Sequence, residues 1–384
     1  MKQVWYEWKK LISDKSVLLV VVLSMCIVIG YQWKNADSHS WQQNASYQEY
    51  YEAALTTVEE MDAETARQWL QEESAWQSFL LSAAYGDSDM AFELLQMNTP
   101  EVDWNKRLKE NANEKADIQQ TQQKYQAFTE LLERVNYAIS YEEFLESVKT
   151  QAQSMSRLSL FSDVDSFSQK NIQKTAEAYE KMSSVQPGLT YSDAADAWSD
   201  SALADVIVPG LLLFLGWAIF RKEKEAGLYQ LLGSTKRGHL EMALAKTIVY
   251  FFFAVLLAIL LYGSQIVLAI LMYGTGDMTL ALISIPSFRN CPYPISIQQY
   301  LILYLAVKVL AALFYASVIM AMLTRRWRFG IAASACVVVI CLEYLAYEQI
   351  NSVSKWNALK YLNLAAVIDA KAWFCEYQFA RRER

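Results

Sequence analysis

Only two histidines occur in the chain, His39 and His239. They are too few to build a Ser-His-Asp relay, a Cys-His pair or the two-histidine zinc helix of metalloproteases. No phosphate loop ending in Gly-Lys-Ser/Thr is present, and the scattered glycines make no cradle of backbone amides, so the chain is not expected to hydrolyse ATP by itself. Asp87 with Asp89 and Asp163 with Asp165 lack the alternating oxygen ligands and closing Glu of a calcium loop. No catalytic, cofactor-binding or metal-binding residue is therefore assigned, and an enzyme is not expected. The side chains that matter chemically are those whose location is costly. Lys308 and Glu343 fall inside apolar runs, where an ionisable group is a functional candidate by default. Counted from predicted outer ends near Leu301 and Gln349, both lie about two turns deep, which would let them pair across neighbouring helices. The plainer reading has Lys308 snorkelling and Glu343 at the interface. Asp205 and Pro209, at the outer start of another apolar run, mark either a helix bend or an interfacial carboxylate.

The elements that must hold these residues are membrane spans. Uncharged runs cover residues 16–33, 206–220, 247–276, 290–307 continued by 309–324, and 329–342, and a helix needs roughly 20 apolar residues to cross a bilayer. Five spans follow, at 16–33, 202–220, 247–273, 298–324 and 329–349. Lys2, Lys9, Lys10 and Lys15 precede the first. Arg221, Lys222, Lys224, Lys236, Arg237 and Lys246 follow the second, and Arg325, Arg326 and Arg328 separate the fourth and fifth. One threading puts all three basic groups in the cytoplasm. The same flanks need no nucleic acid to explain them, since orientation and anionic lipid suffice. Residues 33–201 hold 13 Lys/Arg against 29 Asp/Glu, a net of −16 in a chain whose net charge is −7. That acidic stretch, the domain 34–201, then lies outside, as does the loop 274–297. The first run lacks a small-x-small cleavage site and reads as an uncleaved anchor.

The outer domain reads as helical. Tyr47, Tyr51, Leu55, Val58 and Met61 recur at helical spacing, continued by Trp69, Trp76, Phe79 and Ala83. Thr99-Pro100-Glu101 is a helix start, and Ile118, Tyr125, Phe128, Leu132, Val135 and Ile139 form another apolar face. Two or more long antiparallel helices are expected. The domain contains no cysteine, so packing rather than disulfides must hold it. Pro187-Gly188 ends it, and Thr190 or Ser192 is placed to cap a helix running into the second span.

The basic segment after the second span, 221–246, is amphipathic. Leu228, Leu231, Leu232, Leu240 and Leu244 place apolar faces on two short helices broken at Gly233-Ser234-Thr235. Glu225, Gly227, Leu231-Leu232, the small-residue break, Lys236-Arg237 and then Lys246 together resemble the permeases of type-2 ATP-binding-cassette exporters. That resemblance implies that Glu223, Glu225, Gly227, Leu231, Arg237 and Glu241 form the loop that docks on a separate ATPase subunit. Residues 1–15 are similar to the family's amphipathic elbow helix, with Trp5, Trp8, Leu11 and Ile12 turned to the lipid interface. The large outer domain and the proline-punctuated loop 285–294 resemble one peptide- or drug-exporting branch.

The family has six spans with both ends inside. Residues 350–384 would therefore be an extracellular or reentrant segment, either stopping short of a sixth span or dipping into the membrane at 359–374. The implied whole is an all-α, multi-pass permease of the cell membrane, without cofactor. It would act as a homo- or heterodimer with separate ATPase subunits, contact membrane lipid and export peptides, drugs or lipids. The alternative is a membrane-anchored sensor or scaffold that binds an extracellular ligand through its outer domain.

Overall fold

The computed structural model describes residues 2–36, 44–86, 88–99, 102–110, 117–157, 167–190, 192–199, 201–222, 238–325, 329–349 and 374–375. Among them the regular elements are helices: α1 (Lys2–Ser13), α2 (Lys15–Ala36), α3 (Ala45–Glu59), α4 (Ala63–Ala84), α5 (Ser88–Asn98), α6 (Trp104–Glu110), α7 (Ile118–Arg157), α8 (Phe167–Met182), α9 (Ala194–Ser199), α10 (Ala202–Gly216) with a π-helical turn Trp217–Arg221, α11 (Gly238–Tyr273), α12 (Ile297–Thr324) and α13 (Phe329–Gln349). Among the described residues four segments are long and apolar enough to cross a membrane, Lys15–Lys34, Ala194–Phe220, Leu240–Tyr273 and Ile297–Thr324, the property of a multi-pass membrane protein. The expected fifth, Phe329–Gln349, is helical but is not among those four.

α10 begins at Ala202, as expected for the second span, and is preceded by the short helix α9, where the Ser192 hydroxyl accepts the Ala194 N–H at 3.1 Å. The helix of the third span begins at Gly238, before the expected 247. Its 36 residues run unbroken, since His-Leu-Glu-Met-Ala-Leu-Ala holds no helix breaker, so the expected second short helix is the foot of α11.

The foot of the bundle is tied by α1. Trp5 and Ile12 are exposed as expected, whereas Leu11 is buried and Trp8 lies against Phe252 and Phe253 of α11, ring centres 6.5 and 6.4 Å apart. An amphipathic helix facing both lipid and protein divides its apolar residues this way. Between α1 and α2, Asp14 accepts the Ser16 N–H and hydroxyl at 3.1 and 2.6 Å and meets Lys222 Nζ at 2.5 Å. The hydrogen bond from Lys222, then that from Ser16, holds its carboxyl at about 2.

The polar domain is built from α3 to α8. Asn44 and Asp62 cap α3 and α4 by accepting N–H groups of Ser46 and Thr65. The short 60–62 connection reverses the chain between them. Ala54, Val58, Ala66, Leu70, Leu131 and Val135 form the core where α3 and α4 pack on α7. Tyr47 bonds Glu130 and Tyr51 bonds Arg134; because both sequences ascend together, α3 and α7 run parallel. At the far end Trp76 stacks on Trp104 at 5.9 Å. Arg107 lies over both rings and grips Glu73 with two bonds of 2.7 and 2.8 Å.

This domain stands on a plinth, residues 278–295, read from sequence only as a loop. Leu282, Ile283, Ile285, Phe288 and Cys291 are all fully buried, in one cluster with Tyr141, Met182, Trp198 and Tyr300. The domain bonds to plinth carbonyls: Tyr137 donates to Ile283 at 2.6 Å and Tyr179 to Asn290 at 2.7 Å. Arg289 of the plinth donates back to the Ser140 carbonyl at 2.8 Å and sits over Phe144. At the head of α11, Gly276 has φ +55, and a Cβ there would stand 2.6 Å from the Ser192 nitrogen.

Gly276→Ala is therefore expected to destabilise the protein by about 1–3 kcal/mol, read by thermal unfolding in detergent. Gly30→Ala, with open space around it, should be neutral or slightly stabilising; equal effects would contradict the close approach. A second test uses acid. Because the Asp14 pKa is depressed on folding, its contribution is complete above the ordinary carboxylate range and is lost as pH falls from about 4 towards about 2. The pair is solvent-screened and contributes at most about 1 kcal/mol. Asp14→Asn should lower the unfolding temperature slightly at neutral pH, with the gap closing near pH 2; a gap unchanged there would refute the assignment.

Candidate functional site: a charged cluster within the span bundle

Three helices bring ionisable and phenolic groups together inside apolar surroundings. α12 contributes Tyr304 and Lys308, one turn apart and so on one face. α11 contributes Tyr262. α10 contributes Asp205, and Ser201 immediately precedes that helix. Lys308 is 1% exposed, and its Nζ donates to Asp205 Oδ1 and to Ser201 Oγ, each at 2.7 Å. Tyr262 donates to the same Asp205 oxygen at 2.6 Å, and the Ser201 hydroxyl donates to Asp205 Oδ2 at 2.8 Å. Each of these protons has one acceptor. The ammonium lies 5.1 Å from the Tyr262 ring centre and 5.4 Å from that of Tyr304, within range of a favourable cation–π contact. Tyr304 in turn donates to the Trp198 carbonyl at 2.9 Å, linking the cluster to α9.

Taking two charges out of water costs several kcal/mol for each, and only near-ideal geometry with further hydrogen bonds offsets it. This cluster has both, and among the described residues its ammonium faces one carboxylate. The arrangement ties α10, α11 and α12 together. Pro209, one turn beyond Asp205 in α10, withholds the N–H that would otherwise bond the Asp205 carbonyl.

A second polar seam runs beside it. Gln32 of α2 donates to the Gln265 carbonyl at 3.1 Å, while Gln32 Oε1, Gln265 Oε1 and the Trp198 indole nitrogen are buried without a partner. Such orphans are uncommon in a settled interior.

Among the described residues Lys308 meets Asp205; the pairing with Glu343 expected from the sequence falls on a side chain that lies outside the described residues. Asp205 lies in the first turn of α10, which begins at Ala202 as expected, and Lys308 lies well inside α12. Lys308 does not snorkel. Of the segment expected to form the coupling loop, Glu223, Glu225, Gly227, Leu231 and Arg237 lie outside the described residues. Glu241 is in the first turn of α11, exposed, and accepts from Gln3 of α1 at 3.2 Å. No group of His, Cys, Asp and Glu that could hold a metal occurs among the described residues.

Comparison with protein-family models, with curated proteins and with solved structures found no match.

The cluster makes a sharp prediction. Lys308→Met leaves a buried carboxylate unpaired and should destabilise by about 3–5 kcal/mol, whereas Lys308→Met combined with Asp205→Leu should recover most of that loss. Thermal unfolding in nanodiscs measures both; a double variant no better than the single would show that the two charges do not depend on each other.

Proposed function

We propose that this chain is the membrane-spanning permease subunit of an ATP-driven exporter, working with a separate ATPase subunit as the type-2 ATP-binding-cassette permeases do. The observation that carries the reading is the continuity of α11. Its 36 residues amount to about 54 Å at 1.5 Å per residue, well beyond the roughly 20 residues that a bilayer requires. Its foot adjoins the basic segment 223–237 and is held by α1 through Gln3 and Glu241. Its middle carries Tyr262 of the charged cluster. Its head is fastened to the connection from the polar domain, where the Ser192 hydroxyl bonds the Gly274 carbonyl at 2.9 Å. A displacement at the foot therefore has a stiff route to the opposite side of the membrane.

In this reading the basic face is cytoplasmic and the domain of α3 to α8 is extracellular. Phe329–Gln349 is a fifth span, and Glu223, Glu225, Gly227, Leu231, Arg237 and Glu241 receive the ATPase. Closure of two ATPases around ATP moves the loop and α11, and opens a path for the cargo between two permease subunits. The cargo class is peptides, drugs or lipids. The polar domain rides on the plinth and is positioned to respond to the same movement, because plinth and α11 share the buried cluster around Phe288 and Ile266.

The test is copurification of a phosphate-loop ATPase with this chain, followed by reconstitution of the two together. Glu225→Ala or Gly227→Leu should uncouple ATP hydrolysis from transport by about tenfold or more while membrane insertion is unchanged. Unaltered coupling in sealed vesicles, or failure of any phosphate-loop ATPase to copurify, would overturn the assignment.

A further inference from the structure

A groove of about 480 Å³ runs along the foot of the first span. Among the described residues its walls are Ile12 at the end of α1 and one stripe of α2 that climbs from Lys15 through Leu19 and Leu23 to Cys26, residues three or four apart and so on one helix face. Beyond Lys15 the stripe is apolar. Leu19 is 63% exposed and Leu23 55%, whereas Val17 and Val28, on the other side of the helix, are buried in the span bundle. A helix at the edge of a bundle, with lipid on one side, divides its residues in this way.

Exposed aromatic residues give the groove its depth. Trp5 and Tyr6 on α1, and Tyr31 and Trp33 near the far end of α2, are all exposed, and such residues gather at the two membrane–water interfaces. Lys15 and Trp33 are separated by about 27 Å along α2, which matches a hydrocarbon core of about 30 Å. From Lys15 to Cys26 is about 16 Å, close to half of that core. The groove therefore covers one leaflet, with an ammonium at headgroup level and a leucine wall below it.

The charge at the foot is not spent. Lys15 is exposed and makes no ion pair or side-chain hydrogen bond among the described residues. Lys9, also exposed, lies one turn before Ile12 on the same face of α1. The two carboxylates of this stretch are engaged elsewhere: Asp14 with Lys222 at 2.5 Å and with Ser16, Glu7 with Lys10 at 3.8 Å.

We infer that this groove holds one anionic glycerophospholipid, its acyl chain along Leu19 and Leu23 and its phosphate at Lys15, with Lys9 on the same flank. Contact between the chain and leucine adds little to what bulk lipid supplies, so the preference for this lipid comes from its headgroup, through lysines near an anionic surface. A second copy packed here about a two-fold axis would set the same lysines against each other. In the proposed threading the leaflet is the cytoplasmic one, where anionic lipids lie. A lipid in this place braces α1 against α2, because Ile12 and Lys15 stand on either side of the break between those helices. Such a site requires the spans but not transport.

The test is native mass spectrometry of the full chain released from detergent micelles, with phosphatidylglycerol and phosphatidylcholine of identical acyl chains as probes. One phosphatidylglycerol is expected to stay with each chain, in preference to phosphatidylcholine by about fivefold or more. Lys15→Gln should lower phosphatidylglycerol retention about fivefold and leave phosphatidylcholine unaltered, with Lys15→Arg keeping the preference. Val22 also lines the groove, and Val22→Trp, which places a ring in it, should shed both lipids. Both positions are exposed, so Lys15→Gln and Val22→Trp should keep the wild-type unfolding temperature in lipid-free detergent. Equal retention of the two lipids by the wild type, phosphatidylglycerol retention unchanged in Lys15→Gln, or retention unchanged in Val22→Trp would each overturn the proposal. So would loss of a dimer in Val22→Trp, which would assign this face to a second copy.

Discussion

A lysine and an aspartate buried among apolar helices must find each other, or the fold loses more than most single contacts supply. Lys308 and Asp205 do so, and Ser201 and Tyr262 take up the remaining bonding capacity of the carboxylate. Because these groups come from three helices, the bonds fix the depth and rotation of α10, α11 and α12 relative to one another. Apolar packing alone would not, since lipid tails solvate leucine as well as a neighbouring helix does. The tight contact at Gly216, where a Cβ would stand 2.6 Å from Leu323, follows the same register further along α10 and α12.

The polar domain depends on that register in turn. Its base rests on the plinth, and the plinth is covered by Tyr300, which lies one turn before Tyr304 and two before Lys308 on α12. Phe288 meets Tyr300 with ring centres 4.8 Å apart, and Tyr304 reaches the Trp198 carbonyl. A single ladder of aromatic and charged residues on α12 therefore carries both the span packing and the seat of the domain. Bonds between side chains and backbone carbonyls, at Ile283, Asn290 and Ser140, make that seat directional, so the domain is expected to follow the heads of the spans as a body.

Much of this order was legible in the residues themselves. The spacing of Tyr47, Tyr51 and Val58 and of Phe128, Leu132 and Val135 foretold the helix faces that pack together, and Ser192 marked the cap before the second span. The parallel course of α3 and α7 was not legible, because periodicity reports a face and not a direction. The plinth was hidden for another reason: prolines and short 3₁₀ turns carry no period, so Ile283, Ile285 and Phe288 read as loop residues although they are buried. Trp8 looked like an interfacial anchor, and only the position of Phe252 and Phe253 turns it inward. Asp205 was not legible as a partner of Lys308, because it sits only three residues into α10, which begins at Ala202 as expected, and its contacts with Lys308, Tyr262 and Ser201 are a product of packing that periodicity does not report.

The ionic character of the Lys308–Asp205 contact is the point on which the register of the spans rests. Infrared difference spectroscopy of the wild-type protein against Asp205→Asn, in nanodiscs at neutral pH, tests it directly. The account predicts that the substitution removes an ionised-carboxylate stretch; removal of a protonated carboxyl band instead would mean that Asp205 is a neutral hydrogen-bonding group, and the charged tie between the helices would be wrong.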